Sequence, residues 1–158
     1  HVAIPRDERE FTTIWEKDIA PYRAEVGARL SGVMPAHVIY PAVDPNPAGF
    51  SRFWLQDVLR TRVGFSGVVF SDDLTMEGAT VVGDIVARAE AAHSAGCDMV
   101  LVCNRPDLVD DLLARWAPKL GADSLNRIAA LQATPRPVAA PARLEAARAT
   151  VRALVGDA

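Results

Sequence analysis

The sequence predicts an α/β fold with parallel strands, and three observations carry that prediction. Apolar runs at residues 32–40, 68–73 and 97–104 have the length of buried strands. The stretches between them are helix-patterned and long enough for right-handed crossovers. Half of the 158 residues are apolar, sufficient for one sizeable core. Three parallel strands cannot close on themselves. The choice is therefore between a small open sheet and an arc of an eight-stranded barrel.

Taken in order, residues 7–30 carry helix signals. Asp7 and Glu8 are expected as caps, Phe11, Ile14, Trp15 and Ile19 recur at helical spacing, and Pro21 opens a second helical piece. Residues 32–40 then read as a strand buried on both faces, interrupted by Pro35, which cannot donate to a ladder. Asp44-Pro45-Asn46-Pro47 reads as a loop. Ser51 is expected to cap a helix to about Arg62, with Arg52, Gln56 and Arg60 as its wet stripe and Phe50, Trp54, Leu55 and Val58 buried. Gly64-Phe65-Ser66-Gly67 turns the chain into the strand 68–73, which ends on Asp72 and Asp73. Residues 84–95 form an Ala-rich helix stopped by Gly96, and 97–104 the third strand. The remainder is helical, with prolines at 135, 137 and 141 marking a linker at 133–142 before a last amphipathic helix at 144–155. Two units follow: residues 1–132 as barrel, and 133–158 as a linker and a helix packing on it.

Seventeen basic and twenty acidic residues leave a net charge of −3 with no basic stripe. That distribution argues against nucleic acid or an anionic membrane as partner and favours a small or neutral ligand. No window reaches the roughly 18 apolar residues of a membrane span, and the opening residues resemble no targeting peptide. Cys97 and Cys103 sit too far apart along one extended strand to pair. They read as reduced thiols, which points to the cytoplasm.

The chemistry concentrates at Ser71-Asp72-Asp73, because parallel α/β folds place catalytic groups at the carboxyl ends of strands. The alternative role for one of the two is a cap or loop carboxylate bonded to backbone N–H groups. Adjacent side chains at a strand end point to opposite sides, so only one is expected to face a barrel mouth. His37 is open between a hydrogen-bonded core imidazole and a site residue. Asn104, at a strand's carboxyl end, is a candidate to face the site, whereas Asp98 at its start and His93 read as structural. The three tryptophans read as packing residues. A magnesium-binding phosphoacceptor domain would need a lysine after a late strand, and Lys17 and Lys119 both lie in helical surroundings.

Four blocks in order make the sequence specific: Val33-Met-Pro-Ala-His-Val-Ile-Tyr-Pro, Pro47-Ala-Gly-Phe-Ser, Gly67-Val-Val-Phe-Ser-Asp-Asp-Leu-Thr-Met-Glu-Gly-Ala, and Ala95-Gly-Cys-Asp-Met-Val-Leu-Val-Cys-Asn. Together they closely resemble the bacterial cytoplasmic β-N-acetylglucosaminidases of glycoside hydrolase family 3, over residues 1–115. The resemblance implies the C-terminal portion of a (β/α)8 TIM barrel. It also implies a retaining hydrolase that removes terminal β-linked N-acetylglucosamine from muropeptides during peptidoglycan recycling. The nucleophile would be Asp72. The acid/base would be a histidine that closes an Asp-Ser-His triplet and falls at His1, with His37 and Asn104 as candidate substrate contacts. No metal or organic cofactor is implied. The family's earlier strands, its Lys-His-Phe-Pro-Gly-His-Gly block and its sugar-binding arginines and aspartate have no counterpart here, so the chain is expected to need the upstream half of its own barrel. A non-catalytic α/β fragment and a family 3 β-glucosidase-like enzyme are the alternatives.

Overall fold

The computed structural model describes residues 4–24, 29–132 and 141–155. The expected linker lies mostly outside them. After an extended start whose Arg6 bridges Ile39, the chain forms α1 (Phe11–Lys17) and α2 (Ala20–Arg23), with Pro21 in the first turn of the latter. The acidic residues before α1 do not cap it. Asp7 instead accepts from Arg9, and the cap position falls to Glu10, whose side chain makes no cap hydrogen bond.

The apolar run 32–40 is not one strand. β1 (Gly32–Val33) ends before Pro35, the chain bends at His37, and β2 (Ile39–Tyr40) turns back antiparallel against β3 (Asp44–Pro47). The Asp-Pro-Asn-Pro stretch is thus a short strand and not a loop, a role proline can take at a sheet edge where no ladder N–H is required. A 3₁₀ turn (Ala48–Phe50) leads into α3 (Phe53–Arg62), where Ser51 Oγ accepts the Trp54 N–H at 3.2 Å as expected of a cap. α3 is wound wider than an α-helix, with the Val63 N–H reaching back five residues to the Val58 carbonyl.

β4 (Val68–Asp73) lies between β1 and β5 (Met99–Leu101), parallel to both, giving the order β1-β4-β5. α4 (Ile85–Ala95) connects β4 to β5. Asp84 caps it by accepting the Ala87 N–H at 2.9 Å, and Gly96 ends it at φ 126°, a conformation costly for any residue with a Cβ. α4 buries Ile85, Ala89, Ala92 and Ala95 against Leu55, Val69 and Leu74, so the Ala-rich face is what lets the helix lie close to the sheet. A second apolar cluster joins Ile14 of α1 to Trp54 and Val58 of α3. Of the tryptophans only Trp54 is fully buried.

α5 (Pro106–Arg115), α6 (Ala122–Ala130) and α7 (Pro141–Val155) follow. Lys119 falls in the connection between α5 and α6, not in a helix, and Pro141 opens α7 instead of breaking it. Residues 141–154 are exposed throughout, including Leu144, Val151 and Leu154. Among the described residues, the outer edges of β1 and β5 carry no further strand.

The amino ends of the strands are held by an ionic cluster. Asp98, just before β5, accepts from Arg60 of α3 at 2.8 Å, Arg127 of α6 at 2.6 Å, Ser124 at 2.7 Å and the Val69 N–H at 2.9 Å. Asp98 is structural, as its position predicts. Arg60 is not part of a wet stripe: its side chain is only 14% exposed and also donates to the carbonyls of Phe65 and Gly67.

Candidate active site

The candidate site is built where β4 runs out. Between Phe70 and Asp73 the strand carries one residue more than its partner β5, since Phe70 pairs with Met99 but Asp73 with Leu101. Ser71 fills the gap: its buried Oγ accepts the Leu101 N–H at 2.9 Å, replacing the ladder bond that the bulge removes. Strict side-chain alternation therefore does not govern the strand end, and both Asp72 and Asp73 finish half-buried. Bulges re-aim side chains in this way at the rims of barrels.

The two neighbouring carboxylates have different surroundings. Asp73 Oδ1 accepts the N–H groups of Thr75 at 2.9 Å and Cys103 at 3.0 Å, and its Oδ2 accepts the Thr75 hydroxyl at 2.7 Å. Burial alone would raise the Asp73 pKa, but the bonds from Thr75 and Cys103 outweigh it and hold the carboxyl below its ordinary value. Asp73 is a structural carboxylate that ties β4 to the segment after β5. Asp72 accepts one hydrogen bond, from the Asp73 N–H at 2.8 Å through Oδ1, and among the described residues its Oδ2 takes none. One oxygen is held by the backbone, and the other carries no hydrogen bond among the described residues.

His37 lies in the bend between β1 and β2 and is 2% exposed. Its Nε2 stands 3.1 Å from the Asp73 carbonyl oxygen, and its ring stacks on Phe50 at 5.0 Å between centroids. The structure thus brings His37 to the strand end but behind it, in the core. Asn104 follows β5 with an exposed side chain and a left-handed backbone, φ 59°, which turns the chain toward α5. Asparagine tolerates that region better than most residues. His1 lies outside the described residues. Thr75, and Cys103 through its backbone N–H, join the site without having been expected there; a Ser/Thr two residues after an aspartate is the local signal for Thr75, and nothing local marks the Cys103 N–H. Both thiols are unpaired, Cys97 buried and Cys103 half-buried.

This geometry can be set beside known proteins. Residues 1–126 match the model of the glycosyl hydrolase family 3 N terminal domain. The chain belongs to glycosyl hydrolase family 3. Its fold is accordingly the C-terminal portion of a (β/α)8 barrel, with β1, β4 and β5 as adjacent staves. Among family relatives, the beta-hexosaminidase of Aromatoleum aromaticum is 67% identical over 99% of this chain and 46% of that protein. The native crystal structure of NagZ from Neisseria gonorrhoeae matches 99% of this chain and 46% of its own at 41% identity and a TM-score of 0.85. A crystal structure of the same enzyme in complex with N-trifluoroacetyl-D-glucosamine matches 82% of this chain and 36% of its own at 46% identity and a TM-score of 0.73. The chain spans about half the length of the relatives it matches.

Proposed function

We propose that this chain is the C-terminal half of a retaining hydrolase that removes terminal β-linked N-acetylglucosamine from peptidoglycan-derived muropeptides, with Asp72 as nucleophile and His1 as acid/base. The observation that carries the reading is the asymmetry at the end of β4: both Asp73 oxygens are held by Thr75 and Cys103, while one Asp72 oxygen takes no bond among the described residues. A retaining glycosidase needs one such carboxylate to attack the anomeric carbon and a second group to protonate the departing oxygen. The beta-hexosaminidase name of the relatives and the glucosamine derivative in the Neisseria complex support the sugar class.

In the first step Asp72 attacks C1 while His1 gives its proton to the leaving oxygen. In the second, His1 accepts a proton from water, which displaces Asp72 from C1. Histidine suits both steps because its ordinary pKa, about 6.5, lies close to neutral pH. The unpaired thiols fit a reducing cytoplasm, where recycled muropeptides would be met. The edges of β1 and β5, which carry no further strand among the described residues, fit a barrel completed by the upstream half of the same polypeptide.

The test uses a polypeptide of the relatives' length that carries this chain. A slow fluorinated N-acetylglucosaminyl donor is expected to leave its sugar on Asp72 and not on Asp73, as read by peptide mass spectrometry. His1→Ala should lose substrates with poor leaving groups far more than activated aryl glycosides, and azide should restore turnover as a β-glycosyl azide. An adduct elsewhere, an inverted product, or a preference for gluco donors would overturn the assignment.

A further inference from the structure

We propose that His37 is a positioning residue for the Asp72 carboxylate, an inference that rests on the hydrolase reading above. The Asp73 carbonyl can only accept, so the His37 nitrogen 3.1 Å from it must carry the proton. That places the hydrogen on Nε2 and leaves Nδ1 without one. Nδ1 is itself buried and has no hydrogen-bond partner among the described residues. For packing alone, an apolar side chain would fill the same space without stranding a polar atom. Among the described residues, the bond to Asp73 is the one polar return the imidazole makes.

The ring is fixed on two sides. Phe50 stacks on it, and Gly78 lies so close that a Cβ there would come within 2.7 Å of the His37 Cβ. The bend after β1 and the loop after β4 are therefore locked together through this ring. What they hold is residue 73. Its carbonyl accepts from His37 and from the Met76 N–H at 3.2 Å, its carboxylate from Thr75 and Cys103, and its own N–H donates to Asp72 Oδ1. His37 comes from the segment after β1 and Cys103 from the segment after β5, so the residue beside the nucleophile is fastened to both neighbours of β4. The Asp73 N–H is the only hydrogen bond that orients Asp72 among the described residues. Releasing the His37 side of the clamp lets that N–H, and the carboxylate that follows it, drift from the line of attack.

The experiment compares wild type, His37→Leu and His37→Gln in the polypeptide of the relatives' length. Active sites are counted by the covalent fluorinated sugar, and turnover is expressed per counted site. With Leu, kcat per site should fall roughly 10- to 100-fold, the scale of a misplacement of about 1 Å, with KM within about threefold. Gln, whose amide nitrogen can donate to the same carbonyl, should recover most of the loss. Fewer countable sites at unchanged turnover per site would mean that His37 only supports folding, and would overturn the proposal. Nitrogen-15 NMR of the wild type decides independently of any variant: the Nε2–H tautomer is expected, and an Nδ1–H tautomer refutes the clamp. A wild type that forms no adduct at Asp72 would sink the hydrolase reading itself, and the clamp with it. Labelling at Asp72 with undiminished turnover in His37→Leu would sink only the clamp.

Discussion

Replacing Asp98 with alanine should be among the most damaging single changes in the chain. The carboxylate is 2% exposed and gathers Arg60, Arg127, Ser124 and the Val69 N–H. Breaking a buried ion pair by removing one partner costs about 3–5 kcal/mol. Two features pull toward the lower end: Arg60 keeps its bonds to Phe65 and Gly67, and Arg127 is a quarter exposed and can turn to water. One feature pushes upward, because the Val69 N–H would be stranded in the core at a cost of about 1–3 kcal/mol. The sum is about 4 kcal/mol, measured as the loss of unfolding free energy in urea for the polypeptide of the relatives' length. Asp98→Asn keeps an acceptor for the N–H but drops the charge, and should lose about half as much. Burial by itself would raise the Asp98 pKa, yet bonds from Arg127, Val69 and Ser124 leave it lowered. A lowered folded pKa means stability that is present above the unfolded value, about 3.9, and is lost as pH falls through the folded one. The gap between wild type and Asp98→Asn should therefore hold from pH 8 to 5 and close only below about pH 4. A loss under about 1 kcal/mol for Asp98→Ala would refute the reasoning.

Three further outcomes are expected. Gly67→Ala would place a Cβ 2.6 Å from the Ser31 carbonyl and 2.9 Å from that of Leu30, both backbone atoms, so it should cost about 2 kcal/mol or more in urea unfolding; a neutral effect would show that the β1–β4 entry can shift. Burial pushes the Cys97 thiol up to about 12, so a thiol reagent at pH 8 should modify Cys103 in the native protein and Cys97 only on unfolding. Because that folded pKa is raised, stability is fully present below the unfolded value and should decline as pH climbs toward about 12; equal reactivity of both thiols in the native protein would contradict this. Residues 1–158 expressed alone should give no stable active monomer, since two strand edges stay open; a cooperative unfolding transition with full activity would show the opposite.

Elements whose signals are local can be read directly from the residues. Ser51 announces a helix start because a short oxygen-bearing side chain can reach an N–H two or three residues on, and it does so. Gly96 announces a stop because the left-handed turn there excludes a Cβ. The apolar run ending in two aspartates announced a parallel strand, and four motif blocks announced the family. Features that depend on partners distant in sequence emerge only once the chain has folded. The strand expected at residues 32–40 breaks at Pro35 and folds into a hairpin because β3 is there to receive it. Arg60, which helical periodicity placed in water, is drawn inward by Asp98, 38 residues away. The surroundings of Asp72 and Asp73 are made different by a bulge, by Thr75 and by the N–H of Cys103, 30 residues downstream, none of which periodicity can register. Local propensity names residues able to carry a charge; which of two adjacent carboxylates is tied down is settled by the N–H groups that the fold delivers to it.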